Sequence, residues 1–421
     1  MPRQLPSDCL NEIFEYLKDE TDLRSCLLVN RQWCEVTVRI LWRNIQNYNI
    51  LISCLPEESK ENLCKNGIII TSKPPLFNYI TFIKSLSIGK ILNFLKDQQP
   101  NDNKNFVVTR EIFKMFMGQI TLKKLELYSS LIIPNIPIIT YPGAIDCLRN
   151  LSEFGCSSNI DSEIFYQMSQ ICHNLESLNL TFEKVISNGL TDLISVQKNL
   201  TYLYVLFEDY DSWRVPPPLK SLNDTLIKLR MDGSIYIPLI GYITLPNLKS
   251  LKFGYEVLPN EPLFKFMENC GKNLWELDLN NTNDNSLNLA IAKFCPNMKS
   301  LRTLIKDDEA ETLRLILDSC EQLESIYLWC GGEYLNAGKL LEMIVDHSPK
   351  NFHELKMESM GLDFFRITLK TVFRRWANRT SQYPLSLIII GIADIQRTNR
   401  RVIKKFRKLG IIKFEIIEWY L

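Results

Sequence analysis

The side chains best suited to catalysis or metal binding are few and widely spaced. The 421 residues contain three histidines, His173, His347 and His353, and none stands in a His-Glu-x-x-His arrangement. The twelve cysteines form no Cys-x-x-Cys pair and no cluster with zinc-ligand spacing. We therefore predict no metal site. We interpret the cysteines as reduced, buried thiols, and His173 and His353 as surface residues.

Motifs for cofactor binding and covalent catalysis are also missing from the sequence. There is no phosphate-binding loop, no Gly-x-Gly-x-x-Gly turn and no Gly-x-Ser-x-Gly elbow. A Ser/His/Asp or Cys/His site that only folding brings together stays open as an alternative. We predict a protein that is not an enzyme, with no catalytic residue and no cofactor.

Charge is balanced over the whole chain but not along it. The 49 Lys and Arg against 48 Asp and Glu argue against a general nucleic-acid binder. Residues 366–421, however, carry 13 basic and 3 acidic residues, a net charge of +10. No apolar run approaches the roughly 18 residues of a membrane span, and no signal-like segment follows Met1. We expect a cytoplasmic or nuclear protein that does not bind membranes.

One phrase, Leu-x-x-Leu-x-Leu, recurs along the chain. Its first apolar position falls at Leu122, Leu148, Leu175, Leu200, Leu226, Leu248, Leu274, Met298, Leu323, Phe352 and Leu385. Successive phrases lie 22 to 33 residues apart, and only Glu153 and Thr303 are polar among their 33 apolar positions. The last two apolar residues of a phrase share one face of a strand, and a unit this short buries that face only by stacking on its neighbours. The phrase predicts parallel strands, with helices outside, at Leu125, Leu178, Leu203, Leu229, Leu251, Leu277, Leu301, Ile326 and Leu355.

Cysteine precedes four of these phrases, at Cys172, Cys270, Cys295 and Cys320. A thiol is small and apolar enough to fill the corner between a helix and the next strand. Together, the phrase and the cysteine resemble the cysteine-containing leucine-rich repeat, a solenoid with an inner parallel sheet and outer helices.

The resemblance to leucine-rich repeats implies that a partner binds the concave face, at the variable positions beside the strand leucines. Tyr, Trp and Arg, which dominate interface energetics, are frequent there, although exposed strands also favour aromatic residues for local reasons. The candidate substrate-binding residues are Tyr202, Tyr204, Arg230, Lys252, Tyr255, Asp278, Arg302, Tyr327 and Trp329.

The first 45 residues have the pattern of three short helices. Behind a candidate N-cap at Ser7, apolar residues from Leu10 to Leu17 share one helical face. Thr21 is a candidate N-cap for a second helix, and a third runs to Trp42. Such a unit has a small core and needs a partner or a packed neighbour.

The order of residues in this region closely resembles the F-box: Leu5-Pro6, Leu10, Ile13, Leu17, Leu23, Val29, Arg31, Trp33, Trp42-Arg43 and Ile45. Asn30 stands where many F-boxes have cysteine or serine. The resemblance implies docking on a Skp-type adaptor, which joins the F-box to a cullin scaffold. The candidate adaptor contacts that the resemblance implies are Leu5, Pro6, Leu10, Ile13, Leu17, Val29 and Trp33. Alternatively, those on the helices form only the small core.

We therefore expect an α/β fold in which a small all-α F-box (1–48) and a linker (49–80) precede a solenoid (81–421) with a basic C-terminal cap. The two resemblances imply the substrate-recognition subunit of an SCF-type ubiquitin ligase, with an unknown protein substrate. A repeat scaffold that recruits no ligase, and binds acidic partners or nucleic acid through its basic end, stays open. The basic helix from Arg397 to Leu409 is either a solubilising cap or a patch for an acidic or phosphorylated substrate, RNA or an anionic membrane surface.

Overall fold

A computed structural model describes residues 5–17, 19–68, 74–98, 101–128, 140–208, 216–222, 224–233, 245–254, 260–280, 284–363, 369–379, 383–394 and 397–418. The chain divides into two compact units, Met1–Leu200 and Thr201–Leu421.

The first unit begins with three short helices, α1 (Ser7–Glu15), α2 (Glu20–Cys26) and α3 (Arg31–Leu41). Asp19 is the N-cap of α2, because its carboxylate accepts the Thr21 N–H at 2.8 Å. The expectation of a Thr21 cap is therefore wrong, and α1 begins at Ser7 without a side-chain cap. Asn30 is the N-cap of α3 and accepts the Trp33 N–H at 2.9 Å. Asn30 therefore caps this helix as a serine at the same position would.

Seven further helices lie in the described part of this unit: α4 (Tyr48–Ser53), α5 (Glu57–Lys65), α6 (Ile88–Gln98), α7 (Asp102–Gln119), α8 (Ala144–Leu148), α9 (Ser162–Ile171) and α10 (Gly189–Ser195). Residues 49–80, expected to be a linker, thus contain helical structure, while the domain boundaries stay a prediction. The buried Glu111 carboxylate holds α5 on α7, because it accepts hydrogen bonds from Ser59 at 2.8 Å and Asn62 at 2.7 Å.

Four strands of the first unit pair in parallel and in chain order: β1 (Ser85–Ser87), β2 (Lys124–Leu127), β3 (Glu153–Ser157) and β4 (Ser177–Phe182). Phe154 pairs with Leu125, and both are buried. The predicted phrase at Leu148 is therefore three residues out of register. Glu153 is not a failed core position, because it lies on the opposite face, paired with Lys124.

Nine strands in the described part of the second unit also pair in parallel and in chain order: β5 (Tyr202–Phe207), β6 (Lys228–Gly233), β7 (Ser250–Phe253), β8 (Glu276–Asp278), β9 (Ser300–Thr303), β10 (Ser325–Trp329), β11 (Glu354–Asp363), β12 (Leu385–Asp394) and β13 (Ile412–Ile417). Its described helices are α11 (Asn260–Cys270), α12 (Asn285–Phe294), α13 (Ala310–Ser319), α14 (Ala337–His347), α15 (Leu369–Ala377) and α16 (Arg397–Lys408).

All nine predicted strand positions lie in parallel strands, so the predicted α/β architecture is confirmed. Thr303, the polar exception, is buried and donates a hydrogen bond to the Asn288 side chain at 2.7 Å. The phrase at Leu385 is one residue out of register, since Leu387 pairs with Leu355. A one-residue shift of register exchanges the two faces of a strand. Ile388 and Ile390 therefore lie on the face that points away from the core.

Three of the four corner cysteines behave as predicted. Cys172, Cys295 and Cys320 directly follow helices and are fully buried. The Cys172 Sγ lies 3.5 Å from the Leu148 carbonyl oxygen, and the Cys320 Sγ lies 3.4 Å from that of Cys295. Burial raises the pKa of each of these three thiols to about 12. The expectation of buried thiols is wrong for Cys9 and Cys64, which are exposed.

Candidate functional site

Five large apolar side chains of the N-terminal helical region are exposed, and together they are called the apolar surface: Leu5, Ile13, Tyr16, Leu28 and Val29. Leu28 is 88% exposed and Tyr16 is 82% exposed, which is extreme for side chains of this size. The Gln32 side-chain amide donates to the Leu5 carbonyl at 2.8 Å. This bond holds Leu5 beside the start of α3. Leu28 and Val29 lie just before α3 in the sequence.

The predicted adaptor contacts divide into exposed and packed side chains. Leu5, Pro6, Ile13 and Val29 are exposed. Leu17 and Trp33 are half-buried, and the Trp33 ring meets the Phe14 ring edge-on at 5.0 Å. Leu10 is only 1% exposed, so it is a core residue in this structure rather than part of the surface.

Tyr16 and Leu28 were missed as candidate contacts. The sequence predicts a second helix that carries Leu28, but α2 ends at Cys26 and leaves Leu28 in a turn. Helix length therefore decides the exposure of Leu28, and the sequence pattern gave no signal for it.

Arg43 connects three elements at the end of the helical region. Its guanidinium pairs with both oxygens of the Glu15 carboxylate, one of them at 2.7 Å. Hydrogen bonding to Arg43 lowers the pKa of Glu15 below its ordinary value. The Arg43 carbonyl accepts the backbone N–H groups of Lys84 at 2.8 Å and Ser85 at 3.2 Å, immediately before and at the start of β1.

The same backbone contact recurs between successive strands. The Lys84 carbonyl accepts two N–H groups from the residues that lead into β2, and the Lys123 carbonyl accepts two from those that lead into β3. In the second unit, the carbonyls of Thr201, Ile227 and Lys249 each accept two N–H groups in this way. Arg43 therefore takes the position relative to β1 that Lys84 takes relative to β2. The N-terminal helices are joined to β1 by the same pair of hydrogen bonds that joins these successive strands.

The side of the β5–β13 strands that faces away from the buried leucines is called the open face. Tyr204, Arg230, Lys252, Asp278, Arg302, Tyr327 and Lys356 form one row of paired residues across it. Six of these seven residues belong to the predicted substrate-binding set, so strand pairing brings them together. Of the remaining predicted residues, Tyr202 and Trp329 lie on the same face in neighbouring rows, and Tyr255 lies outside the described residues.

Arg302 is the centre of one connected group on the open face. Its guanidinium lies 4.1 Å from the centre of the Tyr327 ring and donates to Glu358 at 3.1 Å. Asp278 lies 3.9 Å away on its other side. Burial raises the pKa of Asp278, and Arg302 opposes that rise. The Tyr327 hydroxyl donates to Glu358, and burial together with this bond raises the pKa of Tyr327.

A second group lies at the start of the open face. Arg230 pairs with Asp232 at 2.9 Å, and its guanidinium lies 5.5 Å from the centre of the Tyr204 ring. Burial, followed by the neighbouring Asp232 carboxylate, raises the pKa of Tyr204 to about 12. Both groups present a guanidinium on an aromatic ring with a carboxylate beside it, an arrangement that suits recognition of a polar protein surface.

Lys252 pairs with Glu276 at 2.7 Å between these two groups. Burial alone would raise the pKa of Glu276, but the hydrogen bonds from Lys252 and Ser250 outweigh it and lower that pKa. Asp232 and Glu276 were not among the predicted contacts. Both could have been identified from the predicted cations. Asp232 lies two residues from Arg230, and Glu276 lies on the strand next to that of Lys252.

Metal and catalytic arrangements are not found within the described ranges. No group of three or more His, Cys, Asp and Glu side chains there is placed to hold a metal ion. The rings of His173 and His353 lie 2.9 and 3.0 Å from nearby backbone carbonyl oxygens. No described helix is long and apolar enough to cross a membrane.

Comparison with known protein families finds a match at the N-terminal helices. The F-box-like family model matches residues 3–47, the region that holds α1 to α3 and Arg43. No curated protein matches the chain. The match gives the chain an F-box-like domain, a class of domain that binds Skp-type adaptors and generally belongs to non-catalytic subunits of SCF-type ubiquitin ligases. It does not extend into the repeats, whose parallel strands fit a repeat solenoid.

Proposed function

We propose that this protein is the substrate-recognition subunit of an SCF-type ubiquitin ligase and performs no bond chemistry itself. In this proposal, the apolar surface binds a Skp-type adaptor, which connects to a cullin scaffold, and the leucine-rich repeats bind a substrate protein through the open face. The observation that carries the proposal is an F-box-like domain with five large apolar side chains exposed. Large apolar side chains left exposed in a domain of this class are candidates for a protein-binding surface.

The connection through Arg43 supports the same role. A ligase subunit acts by holding a substrate lysine near the activated ubiquitin, and a fixed connection raises the effective concentration of that lysine more than a loose one. The two N–H bonds to the Arg43 carbonyl, together with the Trp42 and Tyr79 rings 4.2 Å apart, fix the helices on the first repeat.

The open face supports the assignment of the substrate site to the repeats. Tyrosine, tryptophan and arginine side chains lie along it, and these residue types contribute most to protein interfaces. We also propose that the protein works in the cytoplasm or nucleus, where its twelve free cysteines would stay reduced.

The test is capture of the purified full chain by an immobilised Skp-type adaptor. Leu28→Asp places a charge on the apolar surface and should weaken capture at least thirtyfold, about 2 kcal/mol, the loss expected at a hot spot. The matched control is Leu76→Asp, because Leu76 is 84% exposed and lies outside the three helices. Equal capture of both variants, or no capture of the unaltered chain, would contradict the proposal.

A second measurement addresses the substrate. The full-length Leu28→Asp variant should retain its repeats and still bind substrates while failing to recruit the ligase. Proteins that accumulate on this variant in cells, and are degraded in the presence of the unaltered chain, are the expected substrates. If no protein behaves in this way, the proposed role of the repeats is wrong.

A further inference from the structure

A groove lies between the last described helix and strand of the second unit. Its cavity has a volume of about 630 Å³ and is bounded by α16 and β13. Three apolar side chains, Ile403, Phe414 and Ile416, form part of its wall. The remaining wall is basic, formed by Arg400, Lys404, Arg407 and Lys408.

The groove exists because the core is open at this end. Phe414 and Ile416 pair with Leu387 and Ile389 of β12, and both of those side chains are fully buried. Phe414 is only half-buried, and Ile416 is 37% exposed. The equivalent positions of β11, Leu355 and Met357, are fully buried as well. The groove is therefore the place where one more strand would stack.

The backbone of β13 is also available on this side. The Leu385 N–H donates to the Ile411 carbonyl at 3.0 Å, so Ile411 directs its carbonyl toward β12. Because alternate residues of a strand point to opposite edges, Ile412, Phe414 and Ile416 direct theirs to the other edge. No described strand pairs with that edge. Such an edge is a template for an additional strand.

The positive charge beside this edge is held in place. The Gly410 N–H donates to the Arg407 carbonyl at 3.0 Å, and the Ile411 N–H donates to the Phe406 carbonyl at 3.1 Å. This pair of bonds is a Schellman motif, with Gly410 at a φ of 71°. It fixes the turn between α16 and β13. No ion pair found among the described residues joins Lys404, Arg407 or Lys408 to a carboxylate.

We propose that this groove binds an extended acidic segment of a partner protein, which adds to β13 as a further parallel or antiparallel strand. Its backbone would pair with the open edge, its apolar side chains would cover Phe414 and Ile416, and its carboxylates would meet Lys404, Arg407 and Lys408. Strand addition of this kind takes affinity from backbone hydrogen bonds and specificity from alternate side chains. The inference rests on the proposed function in one respect, which is that the segment belongs to the ligase substrate.

Two other occupants fit the observations less well. Two of the three apolar side chains of α16, Ile403 and Phe406, are 6% and 5% exposed, and the third, Val402, is half-buried. This helix therefore has no broad free apolar face to insert into a membrane. A nucleic acid would use the cations but would leave the strand edge and the apolar wall unpaired. A peptide uses all three features.

The direct test is fluorescence anisotropy of the full chain with a fluorescein-labelled ten-residue peptide in which Glu alternates with Val. We expect saturable binding that weakens at least fivefold between 50 and 200 mM salt, because exposed charges are screened over about 10 Å. The K404E/R407E double variant should weaken binding at least tenfold. The matched control is K370E/R374E, which reverses two exposed cations of α15 outside the groove and should change binding less than twofold.

Two N-methylated versions of the peptide test strand addition itself. Methylation of every second backbone amide should abolish binding in one register and leave it unchanged in the other, because only alternate amides face β13. Equal binding of both versions would overturn the proposal, as would unaltered binding by K404E/R407E. Tighter binding of a 20-nucleotide poly-U RNA or of phosphatidylserine vesicles, in competition with the peptide, would also overturn it. So would a dimer of this chain that K404E/R407E dissociates.

Adaptor capture separates this proposal from the proposed function. K404E/R407E should be captured by a Skp-type adaptor as well as the unaltered chain. Peptide binding without adaptor capture would leave the groove standing and refute the ligase role. Adaptor capture without peptide binding would refute the groove alone.

Discussion

The F-box-like helices and the strands of the second unit use apolar side chains in opposite ways. The helices leave Leu28 and Val29 exposed, whereas the strands bury every leucine of the repeated phrase and present paired charges instead. On the open face, Arg302 already contacts Tyr327 and Glu358. A partner of the helices therefore gains affinity from burial of apolar surface, while a partner of the open face must exchange existing ion pairs and gains mainly specificity.

The sharpest test of this contrast replaces one leucine in each region. Leu301→Ala should lower the free energy of unfolding by about 2–5 kcal/mol, because Leu301 is 1% exposed and its loss leaves a cavity. Leu28→Ala should change that free energy by less than about 0.5 kcal/mol. Urea unfolding of the two variants measures both values. Similar losses would show that Leu28 belongs to the core.

A second change tests whether the residues before α1 contact the adaptor. The double variant Leu5→Ala, Pro6→Ala should weaken adaptor binding at least tenfold, about 1.4 kcal/mol, because both residues precede α1 and are exposed. Calorimetric titration with a Skp-type adaptor measures the effect, and the unfolding curve of the repeats should not move. Undiminished binding by the folded variant would remove these two residues from the interface.

Arg302→Gln tests the paired charges. It removes the cation between Asp278 and Glu358, but unfolding should become easier by only about 1 kcal/mol or less, since the group is partly exposed. Burial already raises the pKa of Asp278, and Arg302 opposes that rise. Without the cation, the pKa of Asp278 should therefore rise further. Carboxyl NMR titration measures the pKa. The control is Arg314→Gln, which removes an exposed pair with Glu311 and should leave Asp278 unchanged.

The smallest expected effect is the pH dependence of the Glu15–Arg43 pair. Arg43 lowers the pKa of folded Glu15, so this contribution is complete above the unfolded pKa of about 4.3 and is lost as pH falls through the lower folded pKa. We expect about 0.5 kcal/mol, because both side chains are partly exposed. Glu15→Gln should remove this part of the acid sensitivity in thermal melts between pH 5 and 3. An unchanged pH profile would show that the pair does not contribute.

Short-range pattern accounts for most of the fold that the sequence predicted. The phrase around Leu251 or Leu277 predicts a strand because two apolar residues two apart share a face, and both lie in parallel strands. Where a phrase is weak, pattern fails. At Leu148 and Leu385, several registers offer enough apolar residues, and the correct one follows only from pairing with Leu125 and Leu355.

The candidate site was predictable to a similar extent. The row from Tyr204 to Tyr327 follows from strand alternation alone, since it occupies equivalent positions of successive phrases. The partnership of Arg302 with Glu358 does not, because 56 residues and an intervening strand separate them. The apolar groove was also missed, because no phrase predicted β13.

The sequence by itself therefore determined the repeat period, the buried face of most strands and the F-box-like character of the first 47 residues. Each of these depends only on the spacing of residues within a short segment. Only the tertiary structure decided which apolar side chains of the helices stay exposed, which carboxylate pairs with each cation, and where the core is open between α16 and β13. These features depend on where one element ends against another. Packing sets that distance, and it is not encoded in the spacing of residues along one segment.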